Sequence, residues 1–412
     1  MSSTDKEARP RMSKKSERVL IVGAGPVGLV AAASLADAGI PVTILERSAE
    51  LPQDLRASTF HPPTLDMLDR FGISAKLVQR GLVCPTWQFR DRSEGVVAHF
   101  DLSLLKGETN HPYRLQCEQW KLTEAMRERF EAKGGVDLIY GVTGQSVTQD
   151  DDGVTLHYTD ADGAEQQITG RYLIACDGAH SRIRRSLDIE FEGLTIPEIF
   201  LSMSTHFDFA EAIPDLAPIA YLTDPEEWAV LLRTPSLWRV LLPTDPAMSE
   251  DEIKAPAVME ARLQKLCPKD GPYDVVHATA YRVHQRVAKE YVKGRVFLAG
   301  DSAHLNNPLG GMGMNGGIHD AINLAEKLVP VWRGEASADS FGRYERQRRQ
   351  VCIATVQEQS MRNRKMMAEN DPAARKAYHD ELRAIVADPV RHKDYLMRSS
   401  MLQSLRDLET VA

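Results

Sequence analysis

The chain predicts an α/β fold in which a dinucleotide-binding domain on a parallel sheet is interleaved with a sheet-rich (α+β) domain and followed by C-terminal helices. Three observations predict it. First, Val19-Leu20-Ile21-Val22 runs straight into Gly23-Ala24-Gly25-Pro26-Val27-Gly28, and an apolar stretch of helical composition, Leu29 to Leu35, follows. This pattern is a buried strand turning tightly into a helix. Gly23 permits the turn, Gly25 lets backbone approach a pyrophosphate, and Gly28 lets helix pack on strand. Second, two later apolar runs, Tyr172-Leu173-Ile174-Ala175-Cys176 and Arg295-Val296-Phe297-Leu298-Ala299, bring the chain back to the same kind of strand. Third, from about Phe191 to Arg282 the texture between them changes to hairpin-like strands. The first domain is therefore Rossmann-type and discontinuous, over 18–82, 111–190 and 283–335. Residues 83–110 and 191–282 form the second domain, and 336–412 a helical segment.

Each element has its own signal. Residues 1–17 mix Lys, Arg, Asp and Glu without an apolar core, which predicts a disordered tail and no secretory signal. Gly39-Ile40-Pro41 makes a turn, and Val42-Thr43-Ile44-Leu45 is the second strand. It ends on Glu46, whose carboxylate is placed to accept from an adenosine ribose, with Arg47 beside it. Thr64 to Phe71 is a short amphipathic helix closed by Gly72. Residues Val83 to Asp101 alternate as strands, and Gln119 to Ala132 reads as a helix. Leu138 to Tyr140, Ser146 to Thr148, Val154 to Tyr158 and Gln166 to Thr169 read as a four-strand meander, turned at Asp151-Asp152-Gly153 and Asp160-Ala161-Asp162-Gly163. Trp228 to Leu232 and Trp238 to Leu242 flank Thr234-Pro235-Ser236 as a hairpin. The basic run from Arg362 to Lys365 reads as a solvated helix face.

Composition narrows the function. A net charge of −8 leaves no cationic excess to offset phosphates, so nucleic acid is excluded as the main partner. No apolar run approaches the length of a membrane span. The five cysteines are scattered, odd in number and without a C-x-x-C, which fits reduced thiols in a cytoplasm and gives no metal site.

Two further stretches add specificity. Asp177-Gly178-Ala179-His180-Ser181-Arg182-Ile183-Arg184 is a D-G-x-x-S-x-x-R pattern at a strand end. Gly300-Asp301-Ser302-Ala303-His304 is followed by Pro308-Leu309-Gly310-Gly311-Met312-Gly313-Met314-Asn315. A literal G-x-G-x-x-G runs from Gly311 to Gly316, but Asn306-Asn307-Pro308 separates it from any strand, so it is not a second nucleotide fingerprint. It reads instead as a helix N-terminus opening near Met314-Asn315, with Ile318, Ala321, Ile322, Ala325 and Leu328 at helical spacing behind it.

From Val19 to about Trp332, these three motifs in order resemble the class A flavoprotein monooxygenases, the FAD-dependent aromatic hydroxylases of the para-hydroxybenzoate hydroxylase type. The resemblance implies FAD as resident cofactor and NAD(P)H as a transient one, since no second dinucleotide fold is present. NAD(P)H reduces FAD, reduced flavin takes up O2, and a C4a-hydroperoxyflavin hydroxylates a small phenolic or N-heteroaromatic substrate. It also implies that Asp301 accepts from the ribityl chain. The glycine-loop helix, from Gly313, Met314 and Asn315, then favours negative charge on the reduced flavin. Gly300, Arg56, Asp177 and Gln119 (with Gln116 as the competing register) carry over as cofactor-side residues. Cytoplasmic location is expected, and a homodimer is compatible with the resemblance.

The substrate side is less legible. A base that deprotonates a phenol enriches its ring in electrons, so histidines near the motifs, His61 and His304, are candidates. His304 belongs to a G-D-x-A-H pattern that members share irrespective of substrate, which favours a structural role. Pro308 is placed to offer its carbonyl beside the flavin ring. Tyr221, Trp228, Trp238 and Arg239 line a substrate pocket if the inserted sheet covers the flavin. The tyrosine pair of para-hydroxybenzoate hydroxylase has no counterpart, which speaks against that substrate. The rivals are a ubiquinone-pathway hydroxylase, whose greasy membrane-facing surface this acidic chain does not advertise, and a non-catalytic relative, against which Glu46 and Asp301 speak.

Overall fold

The structure, a computed structural model, describes residues 17–53 and 57–411. Arg56 and all but the last residue of the expected N-terminal tail lie outside the described residues.

Val19–Val22 has all four side chains buried and sits inside a six-stranded sheet. Its neighbours are Tyr172–Ala175 on one side and Val42–Leu45 on the other, both parallel. Continuous apolar runs, rather than alternation, are what a parallel strand covered on both faces requires. Val296–Leu298 extends the sheet beyond Tyr172–Ala175, and Val136–Ile139 extends it beyond Val42–Leu45. Val136–Ile139 is thus not the first strand of the meander, as its sequence neighbours suggest. The helix Gln119–Lys133 delivers it parallel to Val42–Leu45 by a crossover. Three strands remain in the meander, Thr143–Gln149, Val154–Thr159 and Glu165–Gly170, all antiparallel. The first helix, Pro26–Asp37, packs against the long glycine-loop helix Gly313–Arg333.

The second large sheet has eight strands and runs from His304–Leu305 through Val275–Ala288, Phe191–Thr205, Trp238–Thr244, Ala229–Arg233, Ile219–Thr223 and Thr86–Asp91 to Gly95–Asp101. The expected hairpin is present with Val230 opposite Leu241. Strand alternation gives this sheet two faces. One carries Leu201, Leu222, Leu231, Trp238, Val240 and Leu242 into a core under the helix Pro256–Leu266. The other carries Trp87, Phe89, Phe100, Phe200, Tyr221 and Leu241 into a core shared with the C-terminal helices.

Those helices close over that second face. Tyr395, from Pro389–Ser399, stacks on Phe100 at 4.8 Å, and Phe100 stacks on Trp87 at 4.0 Å. Tyr378, from Pro372–Ala387, meets Phe89 edge-on at 5.3 Å. Ion pairs clamp the rim: Arg375 to Asp91, Arg383 to Glu94 and Arg364 to Glu198. The basic run at Arg362 to Lys365 is therefore only partly a solvated face.

Candidate active site

The glycine turn after the first strand is shaped for something other than side chains. Gly23 has φ +104°, and a Cβ there would stand 2.4 Å from the Cys176 carbonyl oxygen. A Cβ on Gly28 would stand 2.1 Å from the Gly23 carbonyl oxygen, so helix and turn touch. Around Gly25 the opposite holds: a Cβ would meet nothing within 4 Å. Gly25 is the N-cap of the helix, with no side chain capping it, and Pro26 occupies the first turn. Open space before free N–H groups at a helix N-terminus is an arrangement that suits an anion such as phosphate. Glu46 is buried at the end of the second strand, accepting from the Ala24 N–H at 2.7 Å and the Ser48 N–H at 2.9 Å. Each carboxylate oxygen keeps a further lone pair for a ribose hydroxyl. Arg47 points outward and is exposed.

Val27 ties three motifs into one rigid corner. A Cβ on Gly300 would lie 2.9 Å from Val27 Cγ2, and one on Gly317 would lie 2.6 Å from the same atom and 2.9 Å from Gly300 Cα. Asp301 follows Gly300 in a short 3-10 turn and is exposed on its surface. Asp177 lies at the end of the neighbouring strand. Its Oδ2 accepts from the Ile183 N–H at 3.2 Å, while buried Oδ1 has no partner. Burial raises its pKa, with Ser181 and the nearby N–H groups opposing the shift. Arg184 in the same motif is buried and spent on the Ser302 and Ala179 carbonyls, a brace between the two motifs.

The glycine loop is stapled from beneath by Asn315. Its Nδ2 donates to the carbonyls of Thr59 (2.8 Å) and Gly311 (2.7 Å), and its Oδ1 accepts from the His61 N–H at 3.0 Å. The Asn315 side chain is thus used inside the protein. What Gly313, Met314 and Asn315 can still offer is backbone N–H groups at the start of a 21-residue helix. His61 is fully buried, and its Nε2–H donates to the Gly310 carbonyl at 2.8 Å, which leaves Nδ1 bare and without a partner. Burial first, and the Arg114 charge second, hold its pKa well below the ordinary value, so the ring is neutral.

His304 lies behind the loop, in a buried cluster. Its Nε2 meets Asp320 Oδ2 at 2.7 Å, and Arg348 Nε meets Asp320 Oδ1 at 2.6 Å. Neither histidine lines the cleft described next. Gln119 stands half-buried at the first turn of its helix, whereas Gln116 is fully buried between Ser58 (3.0 Å) and Thr59 (2.8 Å).

An aromatic cleft opens from the glycine loop at Gly310 and Met312 toward Trp87, Phe89, Tyr221, Tyr378 and Tyr395, with Arg114 on its wall. Of the four aromatic and basic residues expected at a substrate pocket, Tyr221 lines this cleft. Trp228 is on the same face but packs edge-on to Phe200 in the core. Trp238 lies on the opposite face, its Nε1 donating to Asp208 Oδ1 at 2.9 Å. The reason is register: Trp238 and Leu241 are three apart on one strand and so point to opposite sides. Arg239 is buried and donates to Ser58 Oγ at 3.0 Å, toward the Thr59 strand rather than the cleft lining. Pro308 is half-buried just before the cleft-lining Gly310. Sequence reading missed Arg114, Tyr378 and Tyr395. The available signal was the run of Met and Tyr, from Met361 to Tyr395, on otherwise charged C-terminal helices.

The arrangement agrees with known proteins. Residues 16–359 match the family model described as FAD binding domain. The chain is 34% identical over 362 residues to para-nitrophenol 4-monooxygenase of Pseudomonas sp. (strain WBC-3), covering 87% of this chain and 89% of that protein. It is 33% identical over 394 residues to 6-hydroxy-3-succinoylpyridine 3-monooxygenase of Pseudomonas putida, covering 93% and 98%. The crystal structure of p-nitrophenol 4-monooxygenase from Pseudomonas putida superposes with a TM-score of 0.89 at 32% identity, covering 95% of this chain and 98% of that one. On these matches, this chain belongs to the FAD-binding-domain family and is an FAD-dependent aromatic monooxygenase.

Proposed function

We propose that the aromatic cleft between the glycine loop and the C-terminal helices is where the ring of a small phenolic or N-heteroaromatic compound is hydroxylated, with O2 as co-substrate. The observation that carries this is that Gly310 and Met312, in the loop that leads into the helix Gly313–Arg333, line the cleft together with its aromatic side chains. Gly23, Gly25, Pro26, Val27 and Gly28 would hold the pyrophosphate, Glu46 the adenosine ribose and Asp301 the ribityl chain. Gln119, Asp177 and Gly300 would flank the cofactor. FAD, reduced by NAD(P)H and reacted with O2, supplies an electrophilic oxygen. The protein's share is to orient the ring, keep water out and present a helix dipole to developing negative charge.

His61 and His304 serve this site by position. His61 fixes the Gly310 carbonyl, and His304 locks the base of the loop helix through Asp320. The ring is gripped by Trp87, Phe89, Tyr221, Tyr378 and Tyr395. The domain division at 18–82, 111–190 and 283–335 against 83–110 and 191–282 belongs to the same proposal, with 336–412 as the cover. Among the described residues no helix is long and apolar enough to cross a membrane.

The test is NADH and NADPH oxidation by the flavinylated protein under air, against phenols, hydroxybenzoates and hydroxypyridines, with peroxide counted. Oxidation stimulated by one compound, with a hydroxylated product and little peroxide, supports the reading. Flavin-free protein that oxidises neither nucleotide overturns it. Sedimentation velocity on the same sample decides whether the chain works as a homodimer.

A further inference from the structure

We propose that Arg114 determines the specificity of the aromatic cleft by binding a negatively charged oxygen on the substrate ring, a phenolate or a carboxylate. The proposal rests on the hydroxylase reading of the same cleft. Arg114 sits on the short strand Arg114–Gln116 and is 2% exposed, yet it forms no ion pair among the described residues. One nitrogen donates to the Ser399 carbonyl at 3.2 Å, and Nε has no partner. Other buried arginines are better satisfied. Arg90 donates to Gln88 and to the carbonyls of Pro214 and Asp215. Arg184 donates to two carbonyls, and Arg348 to Asp320 and the Gly316 carbonyl. Removing a guanidinium from water without an anion to meet it is costly, so a buried, under-paired arginine on a cavity wall is complementary to an anionic ligand.

Its neighbours carry the same message. The guanidinium lies over the Trp87 ring, 4.9 Å from its centroid, and Trp87 Nε1 is a second buried donor without an acceptor. Ser399 adds a hydroxyl without a partner. All three residues line the cleft, with Phe89, Tyr221, Tyr378 and Tyr395 as its aromatic walls. Two unpartnered N–H donors and a hydroxyl on residues that line one aromatic slot fit an oxyanion substituent, while the walls fit the ring that bears it. Arg114 also bears on the nearby His61 and helps keep it neutral, so a histidinium does not compete for the anion.

The experiment measures dissociation constants on the FAD-loaded protein from the flavin difference spectrum. One arm compares 4-nitrophenolate with 4-nitroanisole, above the phenol's pKa. The other compares 4-methoxybenzoate with its methyl ester. The wild type is expected to favour at least one anion over its neutral partner about ten- to a hundredfold, the worth of charge-assisted hydrogen bonds. Arg114→Met should abolish that preference while the neutral ligand changes less than about threefold, and Arg114→Lys should keep part of it. Trp87→Phe, which deletes the second N–H together with part of the ring, should lose about fivefold on the favoured anion relative to its neutral partner. It serves as the reporter if Arg114→Met does not fold. Preference for neither anion, or preference undiminished in Arg114→Met, overturns the proposal and leaves the hydroxylase reading standing. A wild type that holds no FAD overturns both.

Discussion

Asp320, on the helix that follows the glycine loop, and Arg348 form an ion pair sealed from solvent, Oδ1 to Nε at 2.6 Å. The other carboxylate oxygen takes His304 Nε2 at 2.7 Å and the Gly300 N–H at 3.0 Å. One carboxylate therefore joins the turn that carries Asp301 to the C-terminal helix Ser340–Val351. Asp320→Asn leaves two cations buried without their counter-charge and should cost about 3–5 kcal/mol. Urea denaturation of wild type and variant at neutral pH measures it.

Acid sensitivity follows from the same cluster and from the buried histidines. Burial alone would raise the Asp320 pKa, but His304 and Arg348 bring it down to about 2. Its stabilisation is thus complete above the ordinary carboxylate range and is lost as pH falls toward 2. His319 is pushed by burial, and then by the Arg348 charge, down to about 3, and His61 is lowered for similar reasons. Each remains neutral in the fold while the unfolded chain takes up a proton below about pH 6.5. Each should therefore cost up to about 1.4 kcal/mol of stability per pH unit below that point. His304 has the opposite sign: although burial opposes it, Cys352 and Asp320 raise its pKa, and its contribution fades only as pH rises through that raised value. Thermal unfolding from pH 7 to pH 4 should show stability falling well before the carboxylates titrate. His319→Gln should flatten the slope.

The two outer glycines of the fingerprint should fail differently from the middle one. Gly28→Ala drives a Cβ against the Gly23 carbonyl and should destabilise the apoprotein by about 1–3 kcal/mol. Gly25 has extended backbone, φ −72° and ψ 178°, and open space in front of it. Gly25→Val should leave the apoprotein's melting temperature within about 2 °C of wild type, because surface changes without strain are nearly neutral. It should nonetheless abolish FAD retention. Absorbance and calorimetry on the two purified variants separate the effects.

Asp301→Ala should strip the cofactor, since it removes an exposed acceptor placed by the Gly300 turn. Recovery of a fully flavinylated, active variant would refute that assignment.

Removing Arg375 should loosen the cover. Asp91 is 3% exposed, and although burial opposes it, hydrogen bonds from Ser93, Glu94 and Arg375 hold its pKa down to about 2. Arg375→Met leaves that carboxylate charged and under-paired, costing about 3 kcal/mol. The readout is protease cleavage within 358–399 at native temperature, which should accelerate while FAD stays bound.

The cofactor side was legible in the sequence because its constraints are local. Gly23 to Gly28, Glu46 and Gly300-Asp301 each declare themselves within a strand and the turn that follows it. The ring side was not, because it is assembled across long separations. Arg114 reaches Ser399 over 285 residues, and Tyr395 stacks on Phe100 through tertiary packing alone. Strand alternation was also readable, yet which face of Trp238 to Leu242 looks at the cleft depends on what covers each side. Trp238 therefore went to the wrong one. The Val136–Ile139 strand was misplaced because four short strands in a row read as a meander whether or not the first crosses over.

The cleft's walls belong to a hydrophobic core separate from the one under the glycine fingerprint, and Tyr378, Tyr395 and Met367 come from the last quarter of the chain. On the proposed reading, the part of the cleft that these helices supply is packed apart from the core that carries the fingerprint. Residues 358–399 can be exchanged like a fitted die in a press whose frame stays unchanged, altering what is stamped without touching what drives the stroke. Changes there can explore new rings while the core under the fingerprint stays as it is.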